Sequence, residues 1–283
     1  MTLSNNLIST EELANKLGAE NVTVVDCSWY LPTQGRDARA EFDLNHIPGA
    51  GFFDIDEICD KASPLPHMLP SAELFSESVG KLGVSNNSLV VVYDGAGLFS
   101  AARVWWMFHA FGHTNVRVLN GGFPKWVAEQ RPIEKMEKKV SIRPNRSFSA
   151  TPVKDLLASM ETVLANCESQ QAIVLDARSA ARFEGSEPEP RPELPSGHMP
   201  GALSLPFSQL LSDGSLKPAN ELRDIFQALG VNGSKPVITS CGSGVTAAAI
   251  TLALAEAGYG MHRLYDGAWT EWASADNTPI VSA

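Results

Sequence analysis

The chain has 283 residues, of which 44% are hydrophobic and 19% charged, as in a globular protein with one large or two ordinary domains. Its formal net charge of -10 argues against nucleic acid as a main partner. It has neither an apolar run of membrane-spanning length nor an N-terminus of export-signal type. Its four scattered cysteines predict reduced thiols in the cytoplasm rather than disulfides or a metal site.

The first half of the chain predicts alternating helices and strands. Leu89 to Tyr93 form a continuous apolar run, which is typical of a strand buried on both faces. Ser9 or Thr10 is suited to cap a helix that Gly18 ends. The predicted helices cover 9–18, 38–44 and 100–111, and the predicted strands cover 22–26, 89–93 and 116–119.

The second half repeats this plan. The motif His46-Ile-Pro-Gly-Ala50 returns as His198-Met-Pro-Gly-Ala202, about 150 residues later, so the repeat is a whole domain. Strands alternating with helices over short connections predict an α/β fold of two tandem domains, each a parallel sheet flanked by helices. We expect domains at 1–133 and 148–283, joined by the polar, basic linker 134–147.

One stretch of the second half predicts a reactive centre. Residues 237–240 are typical of a short buried strand and the Ala-rich run 247–258 of a helix, with Cys241 at the start of the loop between them. Backbone N–H groups of a Gly-rich loop and the positive end of a helix favour an anion there, and so favour the nucleophilic thiolate. The alternative is a buried structural cysteine.

The repeat bears on this alternative, because the position of Cys241 is taken by Asp94 in the first copy. A carboxylate is a poor substitute for a cysteine that serves packing alone. We therefore expect one chemically active loop and one inactive copy. A cysteine phosphatase is excluded, because its phosphate-binding arginine would stand where this chain has Ala247.

The two His-x-Pro-Gly-Ala motifs and the cysteine loop resemble those of tandem rhodanese-type sulfurtransferases, over nearly the whole chain. Within that family, the loop 241–246 and the motif 176–191 are similar to those of the branch that uses 3-mercaptopyruvate. Thiosulfate-using members carry basic residues at the two positions after the cysteine, where this chain has Gly242 and Ser243. The resemblance implies a sulfurtransferase that takes sulfur from this small-molecule donor as a Cys241 persulfide and releases pyruvate.

The resemblance also implies the substrate-binding residues. Backbone N–H groups of the loop would stabilise the thiolate and the persulfide. Arg182 and Arg191 would clamp the α-keto carboxylate, since a guanidinium binds a planar carboxylate in bidentate fashion. The alternative for these arginines is a solvated charge or an ion pair with Glu184, Glu187 or Glu189. The predicted substrate-binding set is Arg182, Arg191, Gly242, Gly244, Val245 and Thr246.

A proton relay is implied in the same way. Ser243 would donate to the developing enolate, linked to His67 and Asp56 from the first half of the chain. The predicted catalytic residues are thus Cys241, Ser243, His67 and Asp56. The alternative is that His67 and Asp56 are ordinary hydrogen-bonding loop residues.

Other conspicuous residues favour structural roles. His46 and His198 occupy matching motifs in both halves and are expected to stabilise loops. The tryptophans are expected in the core or at a domain interface. Cys27, Cys59 and Cys167 are expected to be packing thiols.

Two other functions stay open at this stage. One is a thiosulfate sulfurtransferase, and the other is a non-catalytic rhodanese-like binding module. No metal or organic cofactor is implied, and neither nucleic acid nor a membrane is expected as a partner. A thiol, cyanide or thioredoxin could each accept the sulfur.

Overall fold

Two five-stranded parallel sheets form the frame of the protein, whose computed structural model describes residues 6–135 and 144–282. Each sheet belongs to its own compact unit. The first unit comprises Met1–Lys61, Leu69–Val153 and Asp213–Leu216, and the second comprises Ala62–Met68, Lys154–Ser212 and Lys217–Ala283. Residues 136–143 of the predicted linker lie outside the described residues. The linker and domain boundaries stay predictions.

The sheet of the first unit has the strand order β1-β5-β4-β2-β3, in which all neighbours are parallel. Its strands are β1 (Leu7–Ile8), β2 (Val22–Asp26), β3 (Gly51–Phe52), β4 (Leu89–Tyr93) and β5 (Val116–Leu119). Its helices are α1 (Thr10–Ala14), α2 (Ala38–Leu44), α3 (Ala72–Lys81), α4 (Ala101–Ala110) and α5 (Gly122–Ala128). All five residues of β4 are buried, which confirms the strand predicted from its apolar run.

The second unit repeats this topology, with the order β6-β12-β11-β7-β8 and parallel neighbours. Its sheet strands are β6 (Leu157–Ala158), β7 (Ile173–Asp176), β8 (Ala202–Ser204), β11 (Val237–Ser240) and β12 (Arg263–Tyr265). The short strand β9 (Leu211–Ser212) also belongs to the second unit, whereas the short strand β10 (Ser215–Leu216) belongs to the first. Its helices are α6 (Met160–Ser169), α7 (Ala180–Glu184), α8 (Ala219–Ala228), α9 (Ala247–Glu256) and α10 (Ala268–Ser274). The predicted fold of two α/β copies with parallel sheets is confirmed.

Buried aromatic side chains form the centre of both cores. Trp105, Trp106 and Trp126 of the first unit and Trp269 and Trp272 of the second have no exposed surface, as expected for core residues. Within the described ranges, no helix is both long and apolar enough to cross a bilayer.

The first helix is shorter than the sequence predicts. The helix predicted over 9–18 spans Thr10–Ala14, with the Ser9 side chain accepting a bond from the N–H of Glu12 as its N-cap. The chain then turns, as the bond from the N–H of Lys16 to the Leu13 carbonyl indicates. Gly18, at φ 79°, follows this turn rather than ending the helix directly.

Candidate active site

Cys241 lies at the carboxyl end of β11, where the chain enters the loop that leads into α9. The residue is only 2% exposed. Gly244 has φ 77°, a left-handed conformation that glycine adopts without the penalty of a Cβ atom. Thr246, the N-cap of α9, makes no side-chain capping bond within the described part of the chain. The N–H groups of Ala248 and Ala249 donate to the carbonyls of Val245 and Thr246, so the positive end of α9 lies at the loop that Cys241 begins.

The first turn of α10 binds the carbonyls of this loop. The N–H of Trp269 donates to the Cys241 oxygen at 2.9 Å, and the N–H and Oγ1 of Thr270 donate to the Gly242 oxygen at 2.9 and 2.7 Å. In a trans peptide the C=O and the N–H point in opposite directions. The N–H groups of Gly242 and Ser243 are consequently turned away from α10.

The matching loop of the first unit shows what such a backbone binds. The carboxylate of Asp94 accepts four backbone N–H groups: Oδ1 binds that of Ala96 at 2.9 Å, and Oδ2 binds those of Phe99, Ser100 and Ala101 at 2.8, 2.9 and 2.8 Å. The carboxylate is thus an internal anion that fills the loop and the N-terminus of α4. The loop of Cys241 is one residue shorter, because Thr246 takes the N-cap position of α9 that Ser100 takes in α4. Matched in this way, the corresponding donors are the N–H groups of Ser243, Val245, Thr246 and Ala247.

Ser243 has a histidine partner from a distant part of the sequence. The Nδ1 atom of His67 lies 3.1 Å from Oγ of Ser243, and both residues are buried. His67 precedes the second sheet by many residues, yet its segment Ala62–Met68 belongs to the second unit. It has φ 60°, a strained conformation for a residue other than glycine, which is common at functional sites.

Asp56, the third member of the predicted relay, belongs to the first unit. There its Oδ2 accepts a bond of 2.9 Å from Nε1 of Trp29, and its carbonyl accepts one of 3.1 Å from Sγ of Cys59. Its part in the relay stays a prediction.

A guanidinium approaches the loop at Gly242. A Cβ atom added to this glycine would lie 3.0 Å from Nη2 of Arg182. The same nitrogen donates to Oε2 of Glu189, and Nε of Arg182 donates to Oε1 at 3.2 Å. Arg182 therefore forms an ion pair with Glu189, as the alternative interpretation of this arginine predicted. It nonetheless lies beside the cysteine loop. Its side chain keeps 19% of its surface exposed.

The other two arginines of the motif differ in burial. Arg178 is fully buried, donates to Asp176, Glu189 and the Gly197 carbonyl, and lies 4.3 Å from the centroid of the Trp269 ring. Such a side chain holds the motif together and is not available to a substrate. Arg191 is partly exposed, two residues beyond Glu189.

The histidines of the repeated motifs have the same structural role in each unit. Nδ1 of His46 lies 2.7 Å from the Phe42 carbonyl, and Nδ1 of His198 lies 2.8 Å from the Phe183 carbonyl. Each imidazole also stacks on the ring of that phenylalanine, with centroids 4.3 and 3.9 Å apart. These contacts support the prediction that both residues stabilise loops.

The other cysteines are in environments that disfavour thiolates. Burial raises the pKa of Cys27 well above its usual value, and burial also raises the pKa of Cys59 and of Cys167. This agrees with the expectation of packing thiols. Across 6–135 and 144–282, no cluster of three or more His, Cys, Asp or Glu side chains is arranged to hold a metal ion.

Two features of the site were not found from the sequence. Thr270 binds the loop through a side chain and a backbone N–H that no motif marks as functional. Glu189 was named only as one of three carboxylates that could pair with an arginine, and its burial selects it from the three. No pattern in the sequence separates Glu189 from Glu187, since both adjoin Pro188, and only burial shows which carboxylate requires a cationic partner.

Comparison with known proteins agrees with this fold. The family described as the Rhodanese-like domain matches residues 9–129 and 159–275. The rat (Rattus norvegicus) 3-mercaptopyruvate sulfurtransferase is 44% identical over 265 residues, which cover 93% of this chain and 88% of that protein. The bovine (Bos taurus) thiosulfate sulfurtransferase is 46% identical over 275 residues, covering 94% and 91%.

A solved structure supports the same assignment. The crystal structure of SseA from Escherichia coli, a 3-mercaptopyruvate sulfotransferase with the rhodanese fold, superimposes with a TM-score of 0.84 at 39% identity. The superposition covers 93% of this chain and 98% of that one. The chain belongs to the rhodanese family of sulfurtransferases, with two rhodanese-like domains in tandem.

Proposed function

We propose that the protein is a 3-mercaptopyruvate sulfurtransferase, in which Cys241 carries the transferred sulfur. The observation that carries the donor assignment is the loop itself, where Gly242 and Ser243 supply no cation and the guanidinium of Arg182 lies against Gly242. Such a site suits a donor with one carboxylate better than the dianion thiosulfate. Overall identity does not decide between donors, because the relatives above include enzymes named for each.

In the first half-reaction the Cys241 thiolate attacks the sulfur of the donor. An S–S bond forms, the C–S bond of the donor breaks, and its electron pair passes into the enolate of pyruvate. The N–H groups that correspond to those around Asp94 would stabilise the thiolate and then the persulfide. Arg182 and Arg191 would bind the donor carboxylate and carbonyl.

The enolate then needs a proton to leave as pyruvate. Ser243 would supply it, and the hydrogen bond between its hydroxyl and the imidazole of His67, which can replace the proton, supports this role. Asp56 is retained in the proposal as the carboxylate that orients this histidine.

In the second half-reaction an acceptor thiolate or cyanide attacks the outer sulfur of the persulfide. The S–S bond breaks, and its electron pair returns to Cys241 as the thiolate. A small thiol, cyanide and thioredoxin are all chemically suitable acceptors.

The free state of all four cysteines suits a reducing compartment, and we propose the cytoplasm. Fractionation of cells that produce the tagged protein tests this, and recovery with an organelle would contradict it.

Intact-protein mass spectrometry tests the function. After brief exposure to 3-mercaptopyruvate, the wild-type protein is expected to gain the mass of one sulfur atom, and Cys241→Ser is expected to gain none. Thiosulfate in parallel should load the protein less. Stronger loading by thiosulfate would make the protein a thiosulfate sulfurtransferase, and no loading by either donor would leave a non-catalytic binding module.

A further inference from the structure

Thr270 is bound to the cysteine loop by two hydrogen bonds to one atom. Its backbone N–H and its Oγ1 both donate to the Gly242 carbonyl, at 2.9 and 2.7 Å, and the residue is 7% exposed. A carbonyl oxygen has two lone pairs, so both bonds can form together. They fix the plane of the peptide that joins Gly242 to Ser243.

The first domain provides an internal comparison. There the N–H of Phe123 donates to the Asp94 carbonyl at 3.0 Å, as that of Trp269 does to the Cys241 carbonyl. The next residue, which matches Thr270, is Pro124, and proline has neither a backbone N–H nor a hydroxyl. Of the two loops, only the one with the cysteine can receive this pair of bonds from α10 or its counterpart α5.

A physical reason for the difference lies in the group that each loop holds. The Asp94 carboxylate binds four N–H groups at 2.8–2.9 Å and so orders its own loop. Sulfur is a weaker hydrogen-bond acceptor than a carboxylate oxygen. The cysteine side chain also gains and loses one sulfur atom during turnover. Because its length changes, it cannot hold the loop in one conformation.

We propose that Thr270 is a positioning residue for sulfur transfer. Its two bonds hold the Gly242–Ser243 peptide so that the Ser243 N–H is turned towards Cys241 while the Ser243 hydroxyl keeps its bond to His67. The proposal rests on the proposed function of Cys241 as the sulfur carrier. Thr270 acts through the loop and does not touch the donor.

The test replaces the hydroxyl by a methyl group of similar size in Thr270→Val. The rate of persulfide formation in a single turnover with 3-mercaptopyruvate is expected to fall about tenfold, with KM changed less than about twofold, as expected for loss of one orienting hydrogen bond. Thr270→Ser, which keeps the hydroxyl, should stay within about twofold of the wild-type rate.

Thr278→Val is the matched control, because the Thr278 hydroxyl also donates to backbone carbonyls at the other end of α10, those of Trp272 and Ala275. It should lower the melting temperature without slowing persulfide formation. Should Thr270→Val fold poorly, Thr270→Ala removes the hydroxyl without adding a buried methyl group beside the carbonyl.

A purely structural Thr270 would lower the melting temperature of its variants and leave persulfide formation at the wild-type rate, which would overturn the inference. Equal slowing in Thr270→Val and Thr278→Val would overturn it as well. Failure of the proposed function is distinguishable, because it appears as wild-type protein that 3-mercaptopyruvate does not load at all.

Discussion

The imidazole of His67 and the hydroxyl of Ser243 are joined by a hydrogen bond of 3.1 Å, although 176 positions separate them in the chain. The bond lies within the second unit, because the short segment Ala62–Met68 packs there. It places a titratable group next to a hydroxyl two residues from Cys241. The arrangement suits transfer of a proton to a leaving enolate.

Substitution of Ser243 is expected to affect the two donors unequally. Ser243→Ala should lower kcat with 3-mercaptopyruvate by roughly 100-fold, in the range for a lost general acid. Loading from thiosulfate should fall much less, because its leaving group is sulfite and no carbon needs a proton. Steady-state kinetics with both donors would check this, with the exposed Ser186→Ala as control. Equal losses for both donors would contradict the proton-donor role.

A side chain at Gly242 is expected to displace Arg182. The added Cβ of Gly242→Ala would lie 3.0 Å from the Nη2 atom, which is the end of a flexible side chain, so the protein should keep its stability. KM for 3-mercaptopyruvate should rise roughly three- to tenfold, the size expected when one donor contact is weakened, and kcat should change little. An unchanged KM in a folded variant would argue that Arg182 does not bind the donor.

The internal anion of the first domain predicts a rescue experiment. Asp94→Ala leaves the four N–H groups around Asp94 without their carboxylate acceptor, and should lower the free energy of unfolding by roughly 2–4 kcal/mol. Formate or sulfate at millimolar concentration should raise the melting temperature of this variant more than that of the wild type. Asp43→Ala, which removes an exposed carboxylate paired with Arg39, is the control. Equal shifts in all three proteins would show that no anion site was opened.

The buried carboxyl of Asp26 predicts a pH dependence of stability. Burial raises its pKa from 3.8 to about 6, against the opposing effect of its hydrogen bonds from Ser28. The folded state favours the protonated form of Asp26, so below about pH 4, where the unfolded chain is protonated too, this group does not change the free energy of unfolding. As the pH rises to about 6, the carboxyl ionises in the unfolded chain but stays protonated in the folded protein, and the free energy of unfolding falls. At pH 7 this group lowers the free energy of unfolding by about 3 kcal/mol.

Asp26→Asn removes this titration. The free energy of unfolding of Asp26→Asn, relative to that of the wild type, should therefore increase by up to about 3 kcal/mol between pH 4 and pH 7. Urea denaturation at a series of pH values would measure the difference, with the exposed Asp43→Asn as control. A difference that does not vary with pH would contradict the raised pKa of Asp26.

The sheets could be predicted closely because each central strand is encoded locally. The strands β2, β4, β5 and β11 begin and end where the apolar, β-branched runs of the sequence do. Helix ends were less accurate, as α1 shows, because the turn that follows it is formed by the backbone bonds of particular residues. The repeat was visible because both domains keep the same motifs at corresponding points.

The arrangement of the site was only partly predictable. The sequence left open which of three carboxylates would pair with Arg182, and the structure selects Glu189, because its carboxylate is buried between Arg182 and Arg178. Thr270 carried no signal, since a hydroxyl that binds a backbone carbonyl can belong to any threonine in a suitable place.

The repeat of one domain plan, the parallel strands and the place of Cys241 between a buried strand and a helix could all be predicted from the amino-acid sequence. These depend on periodicity, glycine positions and helix termini, all of which act over a few neighbouring residues. The contacts of His67 with Ser243, of Glu189 with Arg182 and of Thr270 with the Gly242 carbonyl are visible only in the folded protein. Each of these contacts joins separate segments, and their meeting depends on how whole elements pack within the fold.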